Sequence, residues 1–221
     1  MSLTPEIAAW RKRTRQQLIG RRLAMQPDER AAWSAQIEAA LETGFGALAG
    51  LVTGLCWPYQ GEFDARPFAT RLLAQGGRTA LPAVVAKGAP LEFLEWRPGI
   101  ALIDGAYGLP VPDGSAKLVP DALLIPVVGV GERGDRLGYG GGFFDRTLAA
   151  LTPQPLAVAI AFELSRVPST DPQPHDVPMD FVVTERAIYA PGPTGLSALT
   201  PERCRERVAA VLAARGLPRR K

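Results

Sequence analysis

Residues 122–146 read ALLIPVVGVGERGDRLGYGGGFFDR, and this stretch decides the class of fold. Its first part, residues 122–130, is an apolar run of strand length, which is typical of a strand buried on both faces. Six glycines follow within residues 131–142, and over residues 143–151 the apolar spacing becomes helical. A buried strand that passes through a glycine-rich loop into a helix predicts an α/β domain.

Neighbouring stretches repeat this alternation of short strands and helices. Strands are predicted over residues 51–57, 79–85, 91–96, 122–130, 156–162 and 181–184. Helices are predicted to start at Thr4 and near Pro27, to span residues 68–73 and 143–151, and to start again at Thr200. The pattern indicates a mostly parallel or mixed sheet between two helical layers, a three-layer α/β/α fold. Ligands of such sheets bind outside the carboxyl ends of the strands, so the loop after residue 130 is the first candidate site.

The end of the chain differs in composition from the rest. A Pro/Gly-rich stretch, residues 190–197, precedes the helix start at Thr200, and three basic residues close the sequence at 219–221. We expect one catalytic domain over residues 1–196 and a helical appendage with a basic tail over residues 197–221. The appendage is expected either to pack on the domain or to stay mobile.

Composition limits the class of protein. With 47% hydrophobic and 21% charged residues, the chain has the balance of an ordinary globular protein. Cys56 and Cys204 lie far apart in apolar or helical surroundings, which indicates packing residues in a reducing compartment and not a disulfide framework. A net charge of +3 favours anionic small molecules, and no nucleic-acid-binding motif accompanies it.

No membrane or secretory segment is expected. No apolar run approaches the roughly 18 residues that span a bilayer, and the basic start lacks the apolar centre of a secretory signal. An Arg-rich start is also found in mitochondrial transit peptides, against which Pro5 and Glu6 argue. We expect a cytoplasmic protein, monomeric or weakly dimeric, without nucleic-acid or membrane partners.

The glycine-rich stretch has the chemistry of an anion site. Glycines let the backbone approach a ligand closely, and the free N–H groups at the start of the following helix attract negative charge. Arg136 adds a planar cationic fork that suits phosphate, and Asp145 in the first helical turn is placed to hold a metal bound to that phosphate. The alternative is an ordinary turn with an acid that compensates the helix dipole. The stretch matches neither a Walker A loop nor a dinucleotide-binding fingerprint.

Residues 136–146, RLGYGGGFFDR, resemble the signature of the 5-formyltetrahydrofolate cyclo-ligase family, whose usual form is close to RLGxGxGYYDR. Three further segments are similar to that family, in its order along the chain. They are the basic helix 11–15 with Arg21 and Arg22, Glu62 in YQGEFD, and HDVPMDFVVTE at 175–185. The resemblance covers roughly residues 5–190. It implies an α/β fold related to sugar-phosphate isomerases and CoA transferases, with ATP, Mg²⁺ and a reduced folate as ligands.

The resemblance also implies which residues bind each ligand. ATP is expected on Arg11, Lys12, Arg13, Thr14, Arg15, Arg136, Leu137, Gly138, Tyr139, Gly140, Gly141, Gly142, Phe143 and Phe144. The folate is expected on Arg15, Trp57, Glu62, Tyr139, Gly140, Gly141, Gly142 and Phe143. Magnesium is expected on Asp145 and Asp176, although Asp180 is close enough in sequence to be the second acid instead. Arg136 and Arg15 are expected to act in the reaction itself.

Three features depart from the family pattern. Phe143 and Phe144 replace the paired tyrosines, so two hydroxyl groups are missing. Val111 in GLPVP stands where the family usually carries an acid. The segment after residue 196 is not a feature of the family.

The implied reaction is the ATP- and Mg²⁺-dependent cyclisation of 5-formyltetrahydrofolate to 5,10-methenyltetrahydrofolate, with release of ADP and phosphate through a phosphorylated formyl intermediate. Three alternatives stay open. One is a sugar-phosphate isomerase or CoA-transferase-like enzyme, which would use its own catalytic glutamate and no ATP. Another is a folate- or nucleotide-binding protein without turnover, which the missing hydroxyls permit. The third is nucleic-acid binding, which rests on the basic ends alone.

Overall fold

The computed structural model of the protein describes residues 4–217. The helices are α1 (Pro5–Leu23), α2 (Pro27–Gly44), α3 (Arg66–Ala74), α4 (Phe143–Ala150) and α5 (Pro201–Ala214). The first strands are β1 (Val52–Leu55), β2 (Arg78–Ala83), β3 (Glu92–Trp96), β4 (Leu102–Asp104), β5 (Pro110–Pro112), β6 (Lys117–Leu118) and β7 (Ala122–Pro126). They are followed by β8 (Gly129–Gly131), β9 (Arg136–Leu137), β10 (Leu156–Ile160), β11 (Arg166–Val167), β12 (Phe181–Val183), β13 (Ile188–Gly192) and β14 (Gly195–Leu199).

Within residues 4–217 the main sheet has nine strands in the order β14-β13-β12-β10-β7-β1-β2-β3-β6. The central strands β12, β10, β7, β1 and β2 are parallel, and the strands toward both edges are antiparallel. Side chains of the central strands are buried on both faces, as parallel sheets require. The predicted α/β fold with a mixed sheet is therefore confirmed.

Alternate residues of the strands enter two separate cores. Leu124 and Val158 face the core that α2, α3 and α5 cover, while their neighbours Leu123 and Ala157 face the core that α4 covers. This alternation follows from the two-residue period of a strand. The sheet is thus the middle layer of three.

Helix α1 is placed differently from the other helices. Its buried residues are Arg11, Thr14, Leu18 and Arg22, so its inward face is largely polar. Leu18 packs near Gly129, and Arg22 reaches the carbonyl of Val127 just beyond the end of β7. The helix therefore lies over the carboxyl ends of the parallel strands, where its arginines face the predicted ligand site.

The prediction of one strand over residues 122–130 was wrong. β7 ends at Pro126, which has no N–H to donate to a ladder. The chain then enters β8, which belongs to a smaller sheet in the order β11-β8-β9. This change of sheet directs the glycine-rich segment away from β7 and over the edge of the main sheet.

The Pro/Gly-rich stretch at 190–197 forms much of the β13–β14 hairpin, and the predicted boundary at residue 196 falls inside β14. Helix α5 follows with Thr200 as its N-cap and buries Cys204, Val208 and Leu212 in the same core as α2 and α3. We propose that β14 and α5 fold together with the rest of the chain. The predicted basic tail, residues 219–221, lies outside the described residues.

Both cysteines are free. Cys204 is buried and Cys56 is partly exposed. Burial raises the pKa of each thiol, which keeps both in the unreactive protonated form. No helix within residues 4–217 is long and apolar enough to cross a bilayer.

Candidate active site

The glycine loop, residues 138–142, connects β9 to α4. Gly140 has φ of 95° and Gly142 has φ of 63°, a left-handed backbone that glycine adopts without strain. A Cβ atom on Gly142 would lie 2.8 Å from Nη1 of Arg146. The loop borders a cavity of about 420 Å³, lined also by Asp145, Arg146, Ala149 and His175, which is large enough for part of a nucleotide.

Arg136 lies on β9 beside this loop, with its side chain buried. Its Nη2 donates to Oδ1 of Asp145 at 2.5 Å, and its Nη1 donates to the carbonyl of Val177 at 2.5 Å. The backbone N–H of Val177 donates to the same Asp145 oxygen at 3.1 Å. Burial lowers the pKa of Arg136, whereas Asp145 and Asp176 raise it. A guanidinium stays charged under such conditions, so a positive group stays paired with Asp145, which lines the cavity.

Helix α1 brings two more arginines to the same place. Nη2 of Arg11 donates to Oδ2 of Asp176 at 2.5 Å, and Nε of Arg15 donates to the carbonyl of Gly138 at 2.7 Å. Burial lowers the pKa of Arg15, Arg11 lowers it further, and Asp176 raises it. Arg11 and Asp176 are therefore close enough to Arg15 to change its pKa. Asp176 and Asp145 are likewise close enough to change the pKa of Arg136.

Asp180 is separated from this group by its own partners. Its two carboxylate oxygens accept from Nη1 and Nη2 of Arg215 at 2.8 and 2.6 Å. One of these oxygens also accepts from the backbone N–H of Ala157 at 2.8 Å. Asp180 thus binds α5 to the sheet, which leaves Asp176 as the acid beside the arginines.

The site has two carboxylates of the chemical type that Mg²⁺ uses as ligands. Among residues 4–217, no group of three or more His, Cys, Asp or Glu side chains is arranged to hold a metal. Mg²⁺ in nucleotide sites is commonly held by one or two carboxylates, with phosphate and water oxygens completing its octahedron. Asp145 and Asp176 carry two carboxylates of this kind, each paired with an arginine.

Glu62 lies in the 58–62 turn, which follows β1, and its side chain is 3% exposed. Its Oε1 accepts from the hydroxyl of Tyr139 at 2.6 Å, and its Oε2 accepts from the backbone N–H of Tyr59 at 3.0 Å. Burial raises the pKa of Glu62, while Tyr139, Arg22 and the Tyr59 amide oppose that rise. The turn and the glycine loop therefore meet at one buried carboxyl group.

Trp57 stands apart from that carboxyl contact. Its ring packs against the larger core, and the guanidinium of Arg66 lies 4.0 Å from the ring centre. The same ring lines a second cavity of about 400 Å³, together with Trp96 and Leu102. Trp57 is therefore both a packing residue and an accessible aromatic surface.

The two phenylalanines that replace the usual tyrosines pack on the smaller core. The ring of Phe143 also faces the ring of Tyr107, with centres 6.0 Å apart, and the guanidinium of Arg146 at 5.1 Å. The phenyl rings of Phe143 and Phe144 thus keep a packing role without hydroxyl groups.

Some predicted site residues do not point into the site. Lys12 and Arg13 are exposed on the outer side of α1, and Leu137 is buried beneath the loop. Sequence reasoning also gave no role to Arg22, although it is buried beside Tyr139. Its spacing from Arg11 and Leu18, eleven and four residues, places it on the same helix face and could have identified it.

A glycine loop, three buried or half-buried arginines and two carboxylates meet at the carboxyl edge of a mixed sheet. This combination is typical of enzymes that bind phosphorylated ligands together with a divalent cation.

Comparison with known proteins identifies the family. The model of the 5-formyltetrahydrofolate cyclo-ligase family matches residues 7–185. The chain belongs to the 5-formyltetrahydrofolate cyclo-ligase family. The resemblance inferred from RLGYGGGFFDR is thereby confirmed.

Individual relatives agree with this assignment. The 5-formyltetrahydrofolate cyclo-ligase of Mycolicibacterium smegmatis is 39% identical over 132 residues, which are 54% of this chain and 66% of that protein. The Escherichia coli K12 protein of the same name is 28% identical over 178 residues, covering 76% of this chain and 97% of its own.

Two solved structures share the fold. The 5,10-methenyltetrahydrofolate synthetase of Aquifex aeolicus superposes with a TM-score of 0.71 at 23% identity, covering 86% of this chain and 96% of that one. The synthetase of Mycoplasma pneumoniae gives a TM-score of 0.66 at 22% identity, covering 79% and 98%.

Proposed function

We propose that the protein converts 5-formyltetrahydrofolate to 5,10-methenyltetrahydrofolate, using ATP and Mg²⁺ and releasing ADP and phosphate. One observation carries the proposal beyond family membership. The glycine loop contacts both halves of the site, because its Gly138 carbonyl accepts from Arg15 and its Tyr139 hydroxyl donates to Glu62. One loop can therefore contact a phosphate and a folate that are bound next to each other.

The nucleotide half consists of the glycine loop with Arg11, Arg15 and Arg136. Backbone N–H groups at the start of α4 and the arginine forks suit the oxygens of a triphosphate. Asp145 and Asp176 would hold the Mg²⁺, which neutralises phosphate charge. In the structure the same carboxylates pair with Arg136 and Arg11 at 2.5 Å each.

The folate half is centred on Glu62. A buried carboxylate accepts hydrogen bonds strongly, and the pterin ring presents adjacent N–H donors along one edge. The accessible face of Trp57 and the ring of Phe143 are the aromatic surfaces proposed to pack against the folate. This arrangement would direct the formyl end of the substrate toward the glycine loop.

The proposed chemistry begins with a poor electrophile, since the amide nitrogen donates into the formyl carbonyl. The formyl oxygen attacks the γ-phosphorus, the bond to ADP breaks, and the formyl carbon becomes an activated imidate. The N10 amine of the substrate then attacks that carbon and loses its proton, and phosphate leaves, which closes the five-membered ring. Arg136 and Arg15 stabilise the charge that develops on the transferred phosphoryl group.

The experiment is spectrophotometric. Purified protein is mixed with 5-formyltetrahydrofolate, MgATP and buffer, and the conjugated methenyl chromophore is followed with ATP or Mg²⁺ omitted as controls. Product that requires both supports the proposal. A folded protein that binds ATP and folate but forms no product would contradict it and favour a non-catalytic binder. Turnover without ATP would favour an isomerase- or transferase-like enzyme.

A further inference from the structure

Two buried charged side chains and the hydroxyl of a more exposed tyrosine, from three segments, meet at the centre of the folate half of the site. They are Arg22 on α1, Tyr139 in the glycine loop and Glu62 in the 58–62 turn. Nη2 of Arg22 lies 2.6 Å from the Tyr139 hydroxyl, which lies 2.6 Å from Oε1 of Glu62. The side chains of Arg22 and Glu62 are each 3% exposed.

The direction of the two hydrogen bonds is fixed by chemistry. A guanidinium has donors only, so the Tyr139 oxygen accepts from Arg22. The single hydrogen of that hydroxyl is then directed to Glu62, which accepts it. Arg22 and Tyr139 together thus deliver a positively polarised donor to one carboxylate oxygen.

Arg22 is itself held firmly. Its Nε donates to the carbonyl of Gln60 at 3.0 Å and its Nη1 donates to the carbonyl of Val127 at 3.3 Å. Arg30 braces the same turn, because its guanidinium donates to the carbonyls of Gly61 at 2.5 Å and of Arg22 at 2.6 Å. The guanidinium of Arg22 is therefore a fixed anchor between α1, the turn and the end of β7.

We propose that Arg22 and the Tyr139 hydroxyl are positioning residues that hold Glu62 as an oriented carboxylate for the N–H donors of the folate. The inference rests on the proposed function and deepens it, since it concerns how the folate half is built. The Tyr139 side chain also links the two halves, because it stands in the loop that holds the phosphates.

The electrostatics agree with this geometry. Burial disfavours the charged form of Glu62 and raises its pKa, while the Tyr139 hydroxyl, Arg22 and the Tyr59 amide favour the charged form. Cys56 is also within electrostatic reach of Glu62, and its thiol stays protonated because burial raises its pKa. Nη2 of Arg22 lies 3.8 Å from Oε1 of Glu62 and would still favour the charged form, but loss of the Tyr139 hydroxyl would remove the hydrogen bond at that oxygen and let the pKa of Glu62 rise further. A protonated Glu62 accepts fewer hydrogen bonds.

The test compares Tyr139→Phe with the wild type in direct calorimetric binding of 5-formyltetrahydrofolate and in turnover. We expect the Kd and the KM for the folate to rise about tenfold or more, and the KM for ATP to change little. The acid limb of the pH profile should move to higher pH, because the pKa of Glu62 rises. Arg22→Gln should also raise the Kd and KM for the folate and move the acid limb to higher pH. Arg22→Lys should bind the folate more tightly than Arg22→Gln, because it keeps the positive charge.

Tyr59→Phe is the matched control. The ring of Tyr59 packs 5.6 Å from the ring of Tyr139, but its bond to Glu62 comes from the backbone N–H, which phenylalanine keeps. This variant should bind folate like the wild type. In a protein that already carries Glu62→Gln, adding Tyr139→Phe should lower the folate affinity little further, since both substitutions remove the same interaction.

The outcomes separate this inference from the proposed function. Wild-type folate affinity and an unshifted pH profile in a folded Tyr139→Phe protein would overturn the positioning role. An equal loss of folate and ATP affinity would do so too, since it would indicate a general disturbance of the loop. A wild type that binds folate without forming product would contradict only the reaction, because the binding comparison still tests Arg22 and Tyr139.

Discussion

Arg11 and Asp176 form an ion pair of 2.5 Å although 165 residues separate them in the chain. The carboxylate also accepts from the backbone N–H of Gln173 at 2.9 Å, so it is held in a tight turn. Its neighbour Asp180, four residues later, binds Arg215 instead. Asp176 and Asp180 therefore have different partners although they lie in one segment, and substituting each in turn can separate their roles.

Asp176→Asn should reduce Mg²⁺-dependent turnover at least about tenfold, because a metal-side carboxylate loses its charge. Asp180→Asn should leave turnover near the wild type but lower the free energy of unfolding by about 1–3 kcal/mol, since Arg215 loses a charged partner. Magnesium titrations of turnover and denaturant unfolding of both variants measure the two effects. The reverse pattern would assign the metal role to Asp180.

Asp145→Asn should lower kcat by about 10²–10³ while the protein still folds. The asparagine keeps an oxygen that can accept from the N–H of Val177, which lies 3.1 Å from the carboxylate oxygen. What is lost is the negative charge beside Arg136. Turnover across a magnesium titration and the thermal midpoint are the measurements. Asp113→Asn, at an exposed position, is the control, and wild-type kinetics in Asp145→Asn would remove that residue from the site.

Gly142→Ala should weaken ATP binding and destabilise the glycine loop. Its φ of 63° costs alanine about 1–2 kcal/mol, and the new Cβ would lie 2.8 Å from Nη1 of Arg146. Gly20→Ala is the contrasting case, because Gly20 is exposed within α1 and a Cβ there meets nothing within 4 Å. That variant should gain about 0.5–1 kcal/mol of stability. Calorimetric ATP binding and denaturant unfolding are measured for both variants. Unaltered ATP affinity in Gly142→Ala would contradict the proposal that the glycine loop binds the phosphates.

Leu212→Ala should lower the free energy of unfolding by about 2–5 kcal/mol, because its side chain is 3% exposed in the larger core. Glu206→Ala, exposed on the same helix, should change it by less than about 0.5 kcal/mol. A chain that ends at residue 199 should fail to fold cooperatively. If that shortened chain unfolded cooperatively and remained active, α5 would be an appendage, as the sequence suggested.

The site was partly predictable because some of its geometry is local. The signature around Arg136 and Asp145 lies within a few residues on one loop and helix start, so the sequence alone brings those groups together. The i, i+4 spacing of Arg11 and Arg15 likewise fixes a shared helix face. The roles assigned to Lys12 and Arg13 had no such support, since the same helix geometry turns them toward solvent.

Other parts of the site depend on contacts between distant segments. Periodicity shows that α5 has an apolar stripe but not what covers it, and composition alone placed a domain boundary inside the β13–β14 hairpin. The choice between Asp176 and Asp180 turned on Arg215, which lies 35 residues beyond Asp180. A pattern in sequence carries no information on which partner such a carboxylate meets.

By itself the sequence determined the α/β class, the glycine loop and the family, because strand and helix periods and the backbone freedom of glycine act over short ranges. The tertiary structure alone decided that α1 turns a face of arginines toward the sheet edge and that Arg22, Tyr139 and Glu62 meet there. Burial is the physical reason. It removes the water that would otherwise solvate these charges, so each must find its partner elsewhere in the fold.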